Sequence, residues 1–139
     1  MGTMAADPDL TSFLHEQMPL AATLGFEAVS ASKEEVRGQV AWDASRCTSG
    51  GMIHGGLLMA LADTTGAYCA FLNLPEGAAG TTTIESKTNF LRAVREGVIH
   101  ASSKPLHAGR TVIVVDTELR DDKGKLVARV TQSQAVLSG

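Results

Sequence analysis

The sequence predicts an α+β domain in which an antiparallel sheet wraps around one long helix. Three observations carry that expectation. From Gly55 the apolar spacing is helical for about 18 residues and stops at Asn73-Leu74-Pro75, where a proline cannot continue the backbone hydrogen bonds. After the glycine-rich "PEGAAG" the period changes to two, and "TTTIESKTNFLRAV", "GVIHASSKPLHAG", "RTVIVVDTELRDD" and "KLVARVTQSQAVLS" read as β-branched strands parted by short turns. Within them Ile113, Val115, Thr117 and Leu119 oppose Val112, Val114, Asp116 and Glu118, while Leu126, Ala128, Val130 and Gln132 oppose Val127, Arg129, Thr131 and Ser133. Such alternation describes a sheet with one dry face.

Earlier elements follow from local chemistry. In "DPDLTSFLHEQM" Asp7 is a plausible cap and Pro8 suits a first turn, so a short amphipathic helix is expected from Pro8 to Met18. Val36, Gln39, Val40 and Trp42 read as a strand, joined to a preceding one by the turn-like "SASKE". No repeat or linker marks a second domain. Residues 8–139 are therefore expected to form one domain, and residues 1–7 a disordered tail or vector-derived residues.

Bulk properties exclude several classes of function. The 139 residues suffice for a hydrophobic core, and 44% apolar with 19% charged residues is ordinary for a globular chain. A net charge of -3 leaves no electrostatic footprint for nucleic acid. Cys47 and Cys69 form no C-x-x-C pair and have no histidine at zinc spacing, so neither a disulfide framework nor a metal site is expected. Reduced thiols point to a cytoplasmic protein. The most apolar run, "GGLLMALADTTGAYCAFLNL", is interrupted by Asp63 and by hydroxyl and amide side chains, which argues against a membrane span.

That run also holds the candidate chemistry. On a helix Gly56, Ala60, Asp63 and Ala67 fall on one stripe, with Leu57, Leu58, Met59 and Leu61 in the other directions, predicting a helix buried nearly all round. A carboxylate facing a tight dry contact is heavily penalised, so the stripe reads as room for a ligand. Gly55 and Gly56 place unpaired N–H groups at the helix start, where the helix dipole favours negative charge on an approaching oxygen. Taken alone, Gly-Gly is common at strand-to-helix turns, and His54 reads first as a packing or hydrogen-bonding residue of the helix start. Eight residues separate Gly55 from Asp63, about 12 Å of helix rise. Both can act on one carbonyl only if one of them comes from a second chain, as in an antiparallel pair of helices across a two-fold axis.

His54-Gly55-Gly56, an acid nine positions after the histidine in "LAD", and then "TNFLRAVREG" and "HAGRT" together resemble the hotdog-fold acyl-CoA thioesterases of the phenylacetic-acid-degradation (PaaI) type, relatives of the Arthrobacter-type 4-hydroxybenzoyl-CoA thioesterase. The resemblance runs from Leu24 to Leu137. It implies a hotdog fold, assembly into homodimers and usually homotetramers, and hydrolysis of an aryl- or short-to-medium acyl-CoA with no metal or cofactor, coenzyme A being part of the substrate. By resemblance Gly55 supplies the oxyanion donor, Asp63 is the general base or nucleophile, Thr83 helps hold the attacking water, and His54 shapes the site. Where the family usually carries Asn or Gln, this sequence has Thr48, a single hydroxyl in place of an amide's separate donor and acceptor. Coenzyme A carries phosphates, and Gly56, Arg92 and the turn Gly109-Arg110-Thr111 are the residues expected beside it. Arg95 and Lys104 read instead as solvated turn charges. Two other readings compete: a noncatalytic acyl-CoA binding or sensing module in which Asp63 only seals the pocket, and a hotdog dehydratase or hydratase. The second lacks the expected histidine context around His54, His100 or His107.

Overall fold

The computed structural model describes residues 5–139. Helix α1, Pro8–Gln17, opens on Asp7, whose carboxylate accepts the N–H groups of Asp9 and Leu10 at 3.1 and 3.0 Å. The Asp7 N–H in turn donates to the Ala28 carbonyl at 2.8 Å. Asp7 thus belongs to the folded unit, which corrects the expectation of a tail reaching that far; residues 1–4 of that expected tail lie outside the described residues. A second helix, α2 (Pro19–Leu24), follows at once. The sequence predicts a single N-terminal helix ending at Met18; Pro19 is instead the first residue of a second one, the position at which proline costs least.

Six strands follow the order β1 (Glu27–Ala31), β2 (Val36–Ala41), then helix α3 (Gly55–Leu72), and β3 (Ala78–Phe90), β4 (Val98–Ala108), β5 (Val112–Arg120) and β6 (Leu126–Ser138). They form one sheet in the order β1-β2-β4-β5-β6-β3, every pair antiparallel. The chain therefore leaves β2, crosses the inner face as α3, and returns at the opposite edge as β3. The expected architecture of a sheet around one long helix is the one found.

The predicted dry face of β5 is the inner one: Ile113, Val115, Thr117 and Leu119 are fully buried. Against them α3 buries Leu57, Leu58, Leu61, Ala62, Thr65, Gly66, Cys69 and Ala70. These positions pair up every four residues and make a single broad stripe. The helix is not buried nearly all round, as its composition had suggested. Gly56, Met59 and Phe71 are exposed and Ala60, Asp63 and Ala67 half-buried, so within one chain the small-residue stripe lies on the open side. By length and mean hydropathy α3 would pass for a membrane span; here its apolar side is taken up by the sheet.

Two details set the site geometry. A bulge in β3 between Thr83 and Glu85 inserts Ile84, so that Thr83 opposite Gln134 and Ser86 opposite Gln132 both face inward. Without the extra residue the alternation would turn one of the two outward. At the far side of the sheet, Asp122 accepts the Val98 N–H at 3.0 Å and a His100 ring nitrogen lies 2.8 Å away. The His100 contact holds the Asp122 carboxyl below its ordinary range and ties the β5–β6 turn to the start of β4.

Cys69 lies fully buried against β2 and β5, and burial raises its thiol from 9.0 to about 11. A buried neutral thiol that resists ionisation stabilises the fold below pH 9, and that contribution is lost as pH rises from 9 toward 11. The denaturation midpoint of wild type is predicted to fall across this window more than that of Cys69→Ala, followed by urea titration at several pH values. In the native protein a thiol reagent at pH 8 should modify Cys47, which is partly exposed, and spare Cys69 until the chain is unfolded.

Candidate active site

The start of α3 is held by its own sequence. His54 is the N-cap, in an extended conformation, and its Nδ1 accepts the Gly56 N–H at 2.8 Å. The Leu57 N–H bonds to the His54 carbonyl at 3.0 Å. Of the first helical donors this leaves the Gly55 N–H without an acceptor among the described hydrogen bonds, in the position where the helix dipole adds positive character. The sequence-based role of His54 as a helix-start hydrogen-bonding residue is what the geometry gives. Gly56 is exposed, with its N–H already engaged. The ring of Phe90 lies over Gly55, and a Cβ there would stand 3.2 Å from the Phe90 Cζ. A side chain at position 55 would therefore have to displace the half-exposed Phe90 ring by a few tenths of an ångström.

Thr48 sits one short turn earlier, between a bridge that pairs Cys47 with Ile53 and the hydrogen bond from its own N–H to the Met52 carbonyl at 2.8 Å. Its side chain is exposed and caps nothing. It travels with the start of α3.

Asp63 lies two turns further along the helix, half-buried. Its Oδ1 accepts the Thr83 hydroxyl at 2.7 Å and the Gln132 Nε2 at 3.1 Å. Its Oδ2 takes no hydrogen bond within the described chain. A carboxylate accepting bonds on one oxygen is fixed in orientation and presents the other. The structure thus brings Asp63 and Thr83 together, as expected, and adds Gln132 and Gln134, which sequence reasoning had not singled out. Gln134 Oε1 lies 2.5 Å from the Thr83 hydroxyl and accepts Gln132 Nε2 at 2.9 Å. Its Nε2 donates to Thr81 at 3.1 Å. A readable signal existed: Gln132 falls in register with Ala128 and Val130 on the dry face, where an amide needs a partner.

The residues expected beside coenzyme A are not gathered in one chain. Gly109 closes the β4–β5 turn through its N–H to Val112 at 2.9 Å, with Arg110 and Thr111 exposed at the tip and the Thr111 carbonyl accepting the Val136 N–H. Arg92 is bonded through its N–H to Val127. Nine residues of β6 separate these two anchor points, about 30 Å of strand. Arg92 sits at the Gly55 end of α3 and the Arg110 turn at its Leu72 end. A hollow of about 350 Å³ on the outer sheet face, lined by Arg37, His100, Lys104 and Arg120 among others, contains none of the expected site residues. Among the described residues no three His, Cys, Asp or Glu side chains converge as metal ligands.

Residues 50–128 match the family model described as the thioesterase superfamily. A relative from Saccharolobus solfataricus is 39% identical over 88 residues, which span 63% of this chain and 61% of that protein. The 1,4-dihydroxy-2-naphthoyl-CoA hydrolase of Escherichia coli is 33% identical over 87 residues, 63% of each chain. Among solved structures, the thioesterase HI1161 of Haemophilus influenzae superposes with a TM-score of 0.85 at 25% identity, covering 98% of this chain and 92% of its own. The PaaI protein of the Escherichia coli phenylacetic acid degradation operon gives a TM-score of 0.83 at 23% identity over 92% and 91% of the two chains, a likeness of fold.

The cap makes a measurable prediction. His54→Ala should lower stability by about 1 kcal/mol, the usual cost of a lost N-cap acceptor, and His54→Asn, which restores an acceptor, should recover most of it in urea denaturation.

Proposed function

We propose, for a chain that belongs to the thioesterase superfamily and has the hotdog fold, that it hydrolyses an acyl-CoA thioester to the free acid and coenzyme A. The observation that carries the proposal is the pinned carboxylate. Asp63 is held through Oδ1 by Thr83 and Gln132 on a stripe of small residues, with Oδ2 unengaged. Hydrolysis then proceeds without a metal or separate cofactor. Oδ2 removes a proton from water as the water oxygen bonds to the thioester carbon, and the carbonyl π pair moves onto its oxygen. Collapse of that oxyanion breaks the C–S bond, and the leaving sulfur takes the proton back from Asp63. In the other route Oδ2 itself bonds to the carbon, expels the thiolate, and leaves a mixed anhydride for water to cleave. In both routes the developing oxyanion needs a donor fixed in advance.

The Gly55 N–H suits that role, and the helix rise of about 12 Å between Gly55 and Asp63 supports its coming from a second chain. Two features support a homodimer. The open side of α3 carries exposed Met59 and Phe71 beside its small residues, and β3 leaves one long edge unpaired with Ile84 60% exposed, a surface that soluble chains normally cover. Antiparallel α3 helices about a two-fold axis carry Gly55, Thr48 and Phe90 of one chain toward Asp63 of its partner. The same operation brings Arg92 of one chain to the end where the other presents Gly109, Arg110 and Thr111, completing a basic mouth for the coenzyme A phosphates. Tetramers are then pairs of such dimers. The naphthoyl-CoA hydrolase relative supports an aryl acyl group as the first substrate class to try.

Thiol release from benzoyl-, phenylacetyl- and short aliphatic-CoA tests the proposal directly. Wild type should release thiol, and Asp63→Ala should lower kcat on the order of 10²- to 10⁴-fold, the range for losing a general base. Equal rates in the two proteins would leave Asp63 as a pocket-sealing residue of a binding module.

A further inference from the structure

We infer that Gln132 and Gln134, two amides on β6 with no exposed surface, are positioning residues that decide which oxygen of Asp63 reacts and where the Thr83 proton goes. This deepens the hydrolytic reading and rests on it. Both side chains lie on the inner face of the sheet in register with Ala128 and Val130. Apolar residues would pack there without the cost of burying amides, which runs to about 1–3 kcal/mol for each unpaired group. Their placement there has a geometric use.

Gln132 spends both of its N–H donors, one on Asp63 Oδ1 and one on Gln134 Oε1 at 2.9 Å. Its own Oε1 is buried without a partner and points at α3, where a Cβ on Gly66 would collide with the carboxamide. The reverse amide orientation would aim a carbonyl at the Asp63 carboxylate, which repels it. The orientation is therefore fixed by the carboxylate, and Gly66 is the gap that accommodates the amide. One unsatisfied carbonyl is the cost of delivering the N–H to Oδ1 alone.

Gln134 acts on the other donor. The Thr83 hydroxyl has one proton and two acceptors within reach, Asp63 Oδ1 at 2.7 Å and Gln134 Oε1 at 2.5 Å. While Asp63 is a carboxylate the proton favours Oδ1, since a charged acceptor makes the stronger bond. When Oδ2 takes up a proton from water, Oδ1 becomes a weaker acceptor and the Thr83 hydroxyl turns to Gln134. No covalent bond changes in that step. The hydroxyl stays paired throughout while the charge on Asp63 disappears and returns. The hydrogen-bonding groups on Asp63 are Thr83 from β3 and Gln132 from β6, with Gln134 behind them, and none of the three titrates.

The test uses the full chain with Gln132→Met, Gln134→Met and the equal-length Gln132→Glu, each assayed on a thioester that wild type hydrolyses. The Met variants should lower kcat on the order of 10²-fold, as a small misplacement of a catalytic group does, while KM changes little. In Gln134→Met, which leaves both donors to Asp63 but removes the acceptor that the Thr83 hydroxyl turns to when Asp63 is protonated, the acid limb of the kcat–pH profile should move to lower pH; in Gln132→Met, with one donor to the charged form gone, it should move to higher pH. Gln132→Glu, which sets a second carboxyl beside the first, should move that limb further and supplies the result if the Met variants do not fold. A purely structural role would lower the melting temperature and leave the limb in place. Folded variants with wild-type kcat and an unmoved limb overturn the inference while Asp63→Ala remains inactive; an active Asp63→Ala overturns the reading beneath it.

Discussion

The site depends on one constraint: a carboxylate placed in an otherwise uncharged helix has to be satisfied by the strands that the helix lies on. Asp63 meets it with two hydrogen bonds on a single oxygen, from Thr83 on β3 and Gln132 on β6. The consequences spread outward. The β3 bulge lets Thr83 and Ser86 both face inward, Gln134 engages the Thr83 hydroxyl and the Gln132 amide from behind, and Gly66 opens the helix surface over the Gln132 carboxamide. Each of these looks like an irregularity when taken by itself. Together they keep one charge oriented at the boundary between the core and the open side of α3.

The rest of the core is built to hold that boundary in place. Leu57, Leu58, Leu61 and Ala62 seat the first half of α3 on the sheet, and Cys69 and Ala70 seat the second. Between them the helix-borne hydroxyl of Thr65 meets Ser103 at 2.8 Å, and Ser103 meets Thr117 at 2.6 Å, a satisfied polar contact that fixes rotation of the helix against β4 and β5. With α3 fixed at both ends and in its middle, the stripe carrying Gly56, Ala60, Asp63 and Ala67 is left on the open side of the helix, with Asp63 at its border reaching back to β3 and β6. It can be covered only by something other than this chain's own sheet.

Much of this was legible from residue order. The period change after Pro75, the turn residues and the alternation in β5 and β6 gave the six-stranded sheet and its dry face, because burial on one side imposes a period of two that few other constraints disturb. The boundaries of α3 were legible because Gly55 and Pro75 are strong local signals. Helix α2 was hidden since proline both ends and begins helices. The idea that α3 is buried all round failed because an apolar composition does not say whether the apolar surface meets the chain's own sheet or another molecule. Asp63 was legible as the one carboxylate on a stripe of small residues, and Thr83 only through the family resemblance. Gln132 was visible only as a polar residue on a dry face; its partner depended on a register that a bulge at Ile84 shifts by one. Arg92 and Arg110 illustrate the opposite limit, since proximity of their motifs to the site in sequence terms corresponds to opposite ends of one sheet.

The claim that joins these observations is that a working site takes Asp63 from one chain and the Gly55 N–H from another, and subunit mixing measures it most directly. Asp63→Ala removes the carboxylate, and Gly55→Pro removes the N–H at the first helical position, where proline is tolerated by the helix. Each variant alone should be inactive in thiol release. Co-refolded in equal amounts, they should form mixed dimers in which one of two sites regains both groups, giving about one quarter of the wild-type activity per chain. A mixture no more active than its components, with mixed dimers demonstrated by mass spectrometry, would contradict the two-chain site.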